Sequence, residues 1–267
     1  MLRLEVFRRT LVDQSRVLLV WIGSALLLVA MYAAVWPSVH DQPSMRDFLD
    51  QMPEAFRALF ASTGADMSTP VGYVQVELMS FMGPLLVILY AVTTGVSALS
   101  GEEERHTLDL ALSAPVGRAR WVLEKFAEMA FGTFLVAAGL GVSLVAIGRF
   151  TDLVLPVGPT AAAMVHLGLL GLVFGTLAMA VSAATGSSVL SRAVAAALAV
   201  VAYVVNGLAP LVDWLKPMQK LSPFYQYVGH DPLRNGLSGP SLLVACATVA
   251  ILLTAAVVGF RRRDIPG

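Results

Sequence analysis

Residues 160–184 read TAAAMVHLGLLGLVFGTLAMAVSAA, a stretch without a single Asp, Glu, Lys or Arg. At the rise of an α-helix it covers about 37 Å, more than the roughly 30 Å of bilayer hydrocarbon. A helix on the surface of a soluble protein keeps charge on the face it turns to water, and this one has none to offer. The stretch is a membrane span. Its small residues recur at Gly168, Gly171, Gly175, Ala178 and Ser182, spacings of three and four that gather on one helix face. Such a face lets a second helix approach closely. Helix packing is the expected role, and a smooth wall facing a substrate is the alternative.

Working outward, five further stretches share this character, at 17–36, 74–98, 127–148, 193–215 and 241–260, and none of them contains Lys or Arg. The whole composition agrees. Of 267 residues 57% are hydrophobic and 13% charged, against roughly 25% charged in soluble domains, and the mean hydropathy is +0.75. A soluble fold of this size could not hide so much apolar surface, which excludes a soluble enzyme, a nucleic-acid-binding module and a disordered chain. The expected fold is an all-α integral membrane protein, one transmembrane domain over 1–267 with six helices. The first span follows basic residues, as a signal peptide does. Its apolar run is longer than a signal core and no small-x-small cleavage site follows, so it reads as a retained helix.

Lys and Arg counted by side set the orientation. With the N-terminus in the cytoplasm, Arg3, Arg8, Arg9, Arg16, Arg105, Arg118, Arg120, Lys125, Arg192, Arg261, Arg262 and Arg263 lie inside. Arg46, Arg57, Arg149, Lys216, Lys220 and Arg234 lie outside, twelve against six. An even number of spans returns the C-terminus to the cytoplasm. Residues 1–15 are too polar to span, yet Leu4, Phe7 and Leu11 form an apolar stripe beside Arg3, Arg8 and Arg9. That pattern predicts an interfacial helix on the inner leaflet before the chain turns into the membrane. Outer segments 37–73 and 216–240 are proline-rich; the first suggests one or two short helices at the outer surface, and the second, with Phe224, Tyr225 and Tyr227, a short interfacial or re-entrant piece. Cys246 lies in an apolar run without a second cysteine and reads as a small packing residue.

The inner loop between spans two and three carries the most information. It runs Ser100-Gly101-Glu102-Glu103-Glu104-Arg105-His106-Thr107-Leu108-Asp109-Leu110-Ala111-Leu112-Ser113-Ala114-Pro115. Ser100 and Glu103 have capping-box spacing, and three glutamates suit the positive end of a helix. Pro115 and Gly117 break that helix, and Arg118 and Arg120 open a second one leading through Trp121, Glu124 and Lys125 into span three. Residues 101–125 are thus a charged hairpin just below the membrane, continuous with two spans. A solvated loop is the plainer reading of the same charges.

The run Gly-Glu-Glu-Glu-Arg-x-Thr-Leu-Asp-Leu-x-Leu-x-x-Pro-Val-x-Arg at 101–118 resembles permease subunits of type-2 ATP-binding-cassette (ABC) transporters of bacteria and archaea. The layout of N-terminal helix, six spans, long first outer loop and basic tail at Arg261–Arg263 is similar as well. The resemblance implies that the 101–125 hairpin docks on a cytoplasmic ABC ATPase. Glu102, Glu103, Glu104, Arg105, Thr107, Leu108, Asp109 and Leu112 would be the coupling residues, with His106 where such permeases often carry glycine. It further implies a homodimer of permeases, in a bacterial or archaeal cell membrane. No G-x-x-x-x-G-K-S/T phosphate loop occurs in the chain. No cofactor or metal site is expected here, and ATP and Mg belong to the partner.

Polar residues inside spans are costly and default to functional candidates. Glu77 and Asp213 fall near outer ends, His166 is either a packing residue or a titrating group, and Asn206 with Gly207 and Pro210 interrupts span five. Glu77, His166, Asn206 and Pro210 are therefore the candidates for a substrate path or gate. The function that follows is a permease subunit, with no catalytic residue of its own, exporting a hydrophobic or amphipathic compound such as a drug, lipid or natural product. The rivals are a secondary transporter driven by protons through Glu77, His166 or Asp213, and a permease-like factor supporting metalloenzyme maturation.

Overall fold

The structure, a computed structural model, describes residues 3–40, 53, 55, 66–100 and 117–263, and in the first helix it describes side chains for residues 16–39. The described residues form no strand. Five long helices come first: α1 (Arg3–His40), α2 (Pro70–Ser97), α3 (Arg118–Gly148), α4 (Val157–Thr185) and α5 (Ser188–Leu208), the last extended by a 3-10 turn (Ala209–Leu211). Short helices α6 (Lys216–Gln219), α7 (Pro223–Val228) and α8 (Pro232–Asn235) follow, and then α9 (Gly239–Arg262). Helices α1 to α5 and α9 are each long and apolar enough to cross a membrane. The chain is an all-α membrane protein with six spans.

Because the spans alternate in direction, residues 98–100, 117–118, 185–188 and 262–263 share one end of the bundle, termed the hairpin end. Residues 66–70, 149–157 and 211–239 share the other, the loop end. The N-terminal helix is present and enters the first span without turning, as one helix of 38 residues. Residues 12–17 contain neither glycine nor proline to break it.

Local sequence explains the boundaries. Thr69 caps α2 by accepting the Gly72 N–H at 3.1 Å, with Pro70 at the first helical position. Helix α4 stops at Gly186, whose φ of +67° is the left-handed conformation glycine adopts at a helix C-terminus. Ser187 then caps α5 through the Leu190 N–H at 3.3 Å, so α4 and α5 are joined by two residues only.

Two prolines reshape the loop end. Pro84 has no N–H, so it cannot serve a carbonyl four or five residues back. The preceding turn of α2 widens into a π-helix, Gln75–Met82, in which the Gly83 N–H reaches back to the Leu78 carbonyl. The Met79 carbonyl, next in that pattern, is taken instead by the Tyr227 hydroxyl at 3.1 Å. Pro210 likewise cannot serve Asn206, and the Gln219 side-chain amide donates to that carbonyl at 3.1 Å. The interruption of span five that Asn206, Gly207 and Pro210 predict is therefore the end of its α-helix at Leu208. Asp213, expected at the outer end of that span, lies beyond it, exposed and ion-paired with Lys216 at 2.6 Å. The adjacent ammonium holds its carboxyl below the usual carboxylate range.

Helix α4 is the axis of the bundle. It packs against α2, α3, α5 and α9 and against α7 and α8, and 78% of its most apolar window is buried against 11% for α5. The small-residue face does this. Gly171 packs on Val87 of α2 and Thr133 of α3, and Gly175 on Ala91 and Met129. A Cβ added to Gly95 would lie 2.4 Å from the Gly175 carbonyl oxygen, so α2 and α4 touch backbone to backbone there. This face is a packing surface. Cys246, in contrast to the expected packing role, is a free thiol on the exposed side of α9.

Candidate functional site

Between the loop-end halves of α2 and α5 lies a cavity of about 340 Å³. Gln75 and Ser80 border it from the π-helix, Tyr203, Asn206 and Pro210 from α5 and its turn, and Tyr225 and Asp231 from the outer segment. A second, apolar cavity of about 160 Å³ shares Ser80, Tyr203 and Phe224 with the first. It runs between Phe81, Leu85 and Leu89 of α2 and Ala196, Ala199 and Val200 of α5. The two adjoin at these three residues, a polar chamber beside an apolar groove.

The polar groups of the chamber are unevenly used. Ser80 donates its hydroxyl to the Gln75 carbonyl at 2.8 Å, as the widened turn allows. Gln75 is only 9% exposed, and its side-chain Oε1 has no hydrogen-bond partner. A buried amide oxygen without a donor costs about 1–3 kcal/mol, and π-turns concentrate at functional positions. Asp231 stands at the rim with φ of +51°, a conformation that Asp tolerates better than most residues. Its Oδ2 lies 3.5 Å from Arg234, while Oδ1 is buried and without a partner. Among the described residues no Lys or Arg lines the chamber, and its lining mixes amides and hydroxyls with the one carboxylate of Asp231. That lining suits an uncharged or cationic group better than an anion.

Of the residues singled out in the sequence, the chamber brings together Asn206 and Pro210. Glu77 is half-buried on the same π-helix without lining it. His166 sits apart, buried where α4 meets the outer segment. The Ser238 N–H donates to its Nε2 at 3.2 Å, which leaves Nδ1 to donate to the Gln226 carbonyl at 3.1 Å. Both ring nitrogens are engaged and the imidazole is neutral in this arrangement. It joins α4 to α7 and to the start of α9. Tyr227, whose hydroxyl braces α2, is fully enclosed, and burial pushes its phenol above the usual range, so that it stays a donor.

The coupling residues Glu102, Glu103, Glu104, Arg105, Thr107, Leu108, Asp109 and Leu112 lie outside the described residues. The helix expected after them opens at Arg118, with Gly117 extended before it, and Arg120 pairs with Glu124 at 2.7 Å. Sequence reading missed Gln75, Ser80 and Tyr203, and it missed Glu128, which is 5% exposed and lies 3.7 Å from Lys125. For Glu128 the signal was a lysine three residues earlier. For Gln75 it was a glutamine nine residues before a proline within one span.

A further cavity, about 550 Å³, lies between α3 and α4 and is almost wholly apolar. Its Thr160 hydroxyl is spent on the Pro156 carbonyl at 2.8 Å, and Arg149 stands at its edge. It offers a cargo little to orient it.

No curated protein matches the chain. The model of the family described as ABC-2 family transporter protein matches residues 5–265. The chain, with six helices long and apolar enough to cross a membrane, belongs to the ABC-2 family of transporter proteins.

Proposed function

We propose that this permease subunit exports an amphipathic compound with a donor-bearing, uncharged or cationic head group, driven by ATP hydrolysis on a separate cytoplasmic ABC ATPase. The observation that carries the cargo class is the polar chamber and the apolar groove that adjoin between α2 and α5. A head group would meet Gln75, Asn206 and Asp231 in the chamber while an apolar tail follows the groove past Leu85 and Ala196. Pro210, by ending α5, leaves room for the head group. Glu77 and His166 are positioning rather than contact residues on this reading.

The hairpin end is the cytoplasmic end, as the Lys and Arg count favours, in a bacterial or archaeal cell membrane. The 101–125 hairpin docks on the ATPase, where Glu102, Glu103, Glu104, Arg105, Thr107, Leu108, Asp109 and Leu112 make the contacts. The chain supplies no nucleotide chemistry; the partner's ATP and Mg do. A second copy of the chain completes the complex, with α2 and α5 facing the cargo. A proton path through Glu77, His166 or Asp213 is poorly supported, since His166 has both nitrogens occupied and Asp213 is paired outside the span.

The test is a pull-down of the tagged chain in mild detergent with mass spectrometry. A stoichiometric phosphate-loop ATPase is expected, lost when Glu102–Leu112 is replaced by a glycine-serine linker. A chain that comes down alone, under conditions that preserve other transporter complexes, would sink the reading.

A further inference from the structure

Four residues from four parts of the chain meet at the hairpin end. Ser100 and Arg118 are the two feet of the 101–117 segment, Ser182 ends α4, and Arg263 follows α9. The Ser100 N–H donates to the Ser182 hydroxyl at 3.0 Å, and the two hydroxyls share a further hydrogen bond. Both residues are fully buried. The Ser100 hydroxyl also lies 3.3 Å from the Val96 carbonyl, so the expected cap on this serine is drawn toward α2 and α4. On the other foot, Arg118 donates to the Arg263 backbone carbonyl at 2.8 Å. Arg263 in turn donates through its guanidinium to the Ser182 carbonyl at 3.3 Å.

Gly186 makes room for that guanidinium. A Cβ there would lie 2.5 Å from an Arg263 nitrogen, and the φ of +67° disfavours any other residue as well. The Arg263 N–H itself closes α9 on the Gly259 carbonyl at 3.2 Å. Ser182 is thus the hub. Its hydroxyl holds one foot, and its carbonyl holds both the Gly186 N–H at 2.9 Å and the arginine that holds the other foot. Leu99, two residues past α2, packs in one apolar cluster with Trp121 of α3, Met179 and Ala183 of α4 and Phe260 of α9.

We infer that Ser182 and Arg263 bind both feet of the hairpin to the ends of α4 and α9 as one relay block. A displacement of the hairpin is then passed to the central helix α4 and to α9, and not to α2 and α3 alone. The inference rests on the reading of residues 101–125 as the coupling hairpin. Arg263 is a positioning residue: it acts through Arg118 and Ser182 and touches no cargo. Lysine would not replace it, because a single ammonium cannot both fill the flat space at Gly186 and reach the Ser182 carbonyl in a fixed plane.

The test uses the full complex with its ATPase in vesicles and a Cys246→Ser background. Ser100→Cys with Ser182→Cys places two thiols in contact, and oxidation then locks the foot to α4. A block that moves as a unit keeps its transport rate when locked. Loss of transport on oxidation, restored by a reductant, would overturn the inference. Arg263→Ala should lower the cargo moved per ATP hydrolysed about tenfold, the scale of a coupling free energy between sites, with ATPase association retained, and Arg263→Lys should fall between. An unchanged ratio in Arg263→Ala would also overturn it. Gly186→Ala, which displaces the guanidinium while keeping it, serves the same purpose should Arg263→Ala fail to accumulate. Glu103→Arg with Glu104→Arg separates the two levels: if that variant keeps cargo-stimulated turnover, the hairpin reading itself fails.

Discussion

At the loop end, Pro84 and Pro210 remove backbone donors from α2 and α5, and Tyr227 and Gln219 replace them from the outer segment. Beside these repaired carbonyls the Gln75 side-chain Oε1 stays without a partner. At the hairpin end, Ser182 spends its hydroxyl on Ser100 and its carbonyl on both Gly186 and Arg263. On the proposed function, the end that binds cargo keeps polar groups in reserve at a cost in stability, whereas the end that passes on a displacement commits them to internal bonds. Between the two ends, Gly95 and Gly175 fix the distance from α2 to α4.

The variant with the largest expected effect breaks that fixed distance. Gly95→Val places a side chain against the Gly175 carbonyl, and overpacking of this kind costs about 1–3 kcal/mol or more. It should abolish the monodisperse peak of the detergent-extracted protein and disturb both ends at once. Tyr227→Phe comes next. It strands the Met79 carbonyl, a loss of about 1–3 kcal/mol, and should lower the melting temperature while leaving ATPase association intact. Were association lost instead, the two ends would not be separable.

Gln75→Met sharpens the contrast by giving opposite signs to two measurements. Removing a buried acceptor that has no partner should raise the melting temperature, by up to about 1 kcal/mol of stability, while weakening binding of a long-chain alkylamine. A variant that lost both would show that Gln75 is simply a structural residue. The smallest effect is expected at the surface. The Asp213 carboxyl is held low by Lys216, so the pair's contribution is present above the ordinary carboxylate pKa and lost as the pH falls through the lowered value. Exposed pairs contribute little, so Asp213→Asn should leave the melting temperature at neutral pH unchanged and remove only a small dependence at acid pH.

The spans were legible because lipid demands long uncharged stretches, and 160–184 could be nothing else. The stripe of Gly171, Gly175 and Ser182 was legible as packing for the same reason. The chamber was not, because it depends on what lies across from each gap. Asn206 and Pro210 announced an interruption in α5, but nothing in their spacing says that Gln219 repairs it or that Gln75 faces it. His166 was legible as either a packing residue or a titrating group, and its bonds to the Gln226 carbonyl and the Ser238 N–H fit the first. Arg263 reads as one of three basic tail residues, and its role emerges only where it meets Gly186 and Ser182.

The most direct test of the account is transport by the chain and its ATPase in sealed vesicles, read with a fluorescent long-chain alkylamine. Wild type is compared with Ala196→Trp, which fills the groove from an exposed position on α5. The account predicts ATP-dependent movement of the amine away from the hairpin end, lost in Ala196→Trp with ATPase association unchanged. Movement at the wild-type rate in that variant, or none in wild type, would contradict it.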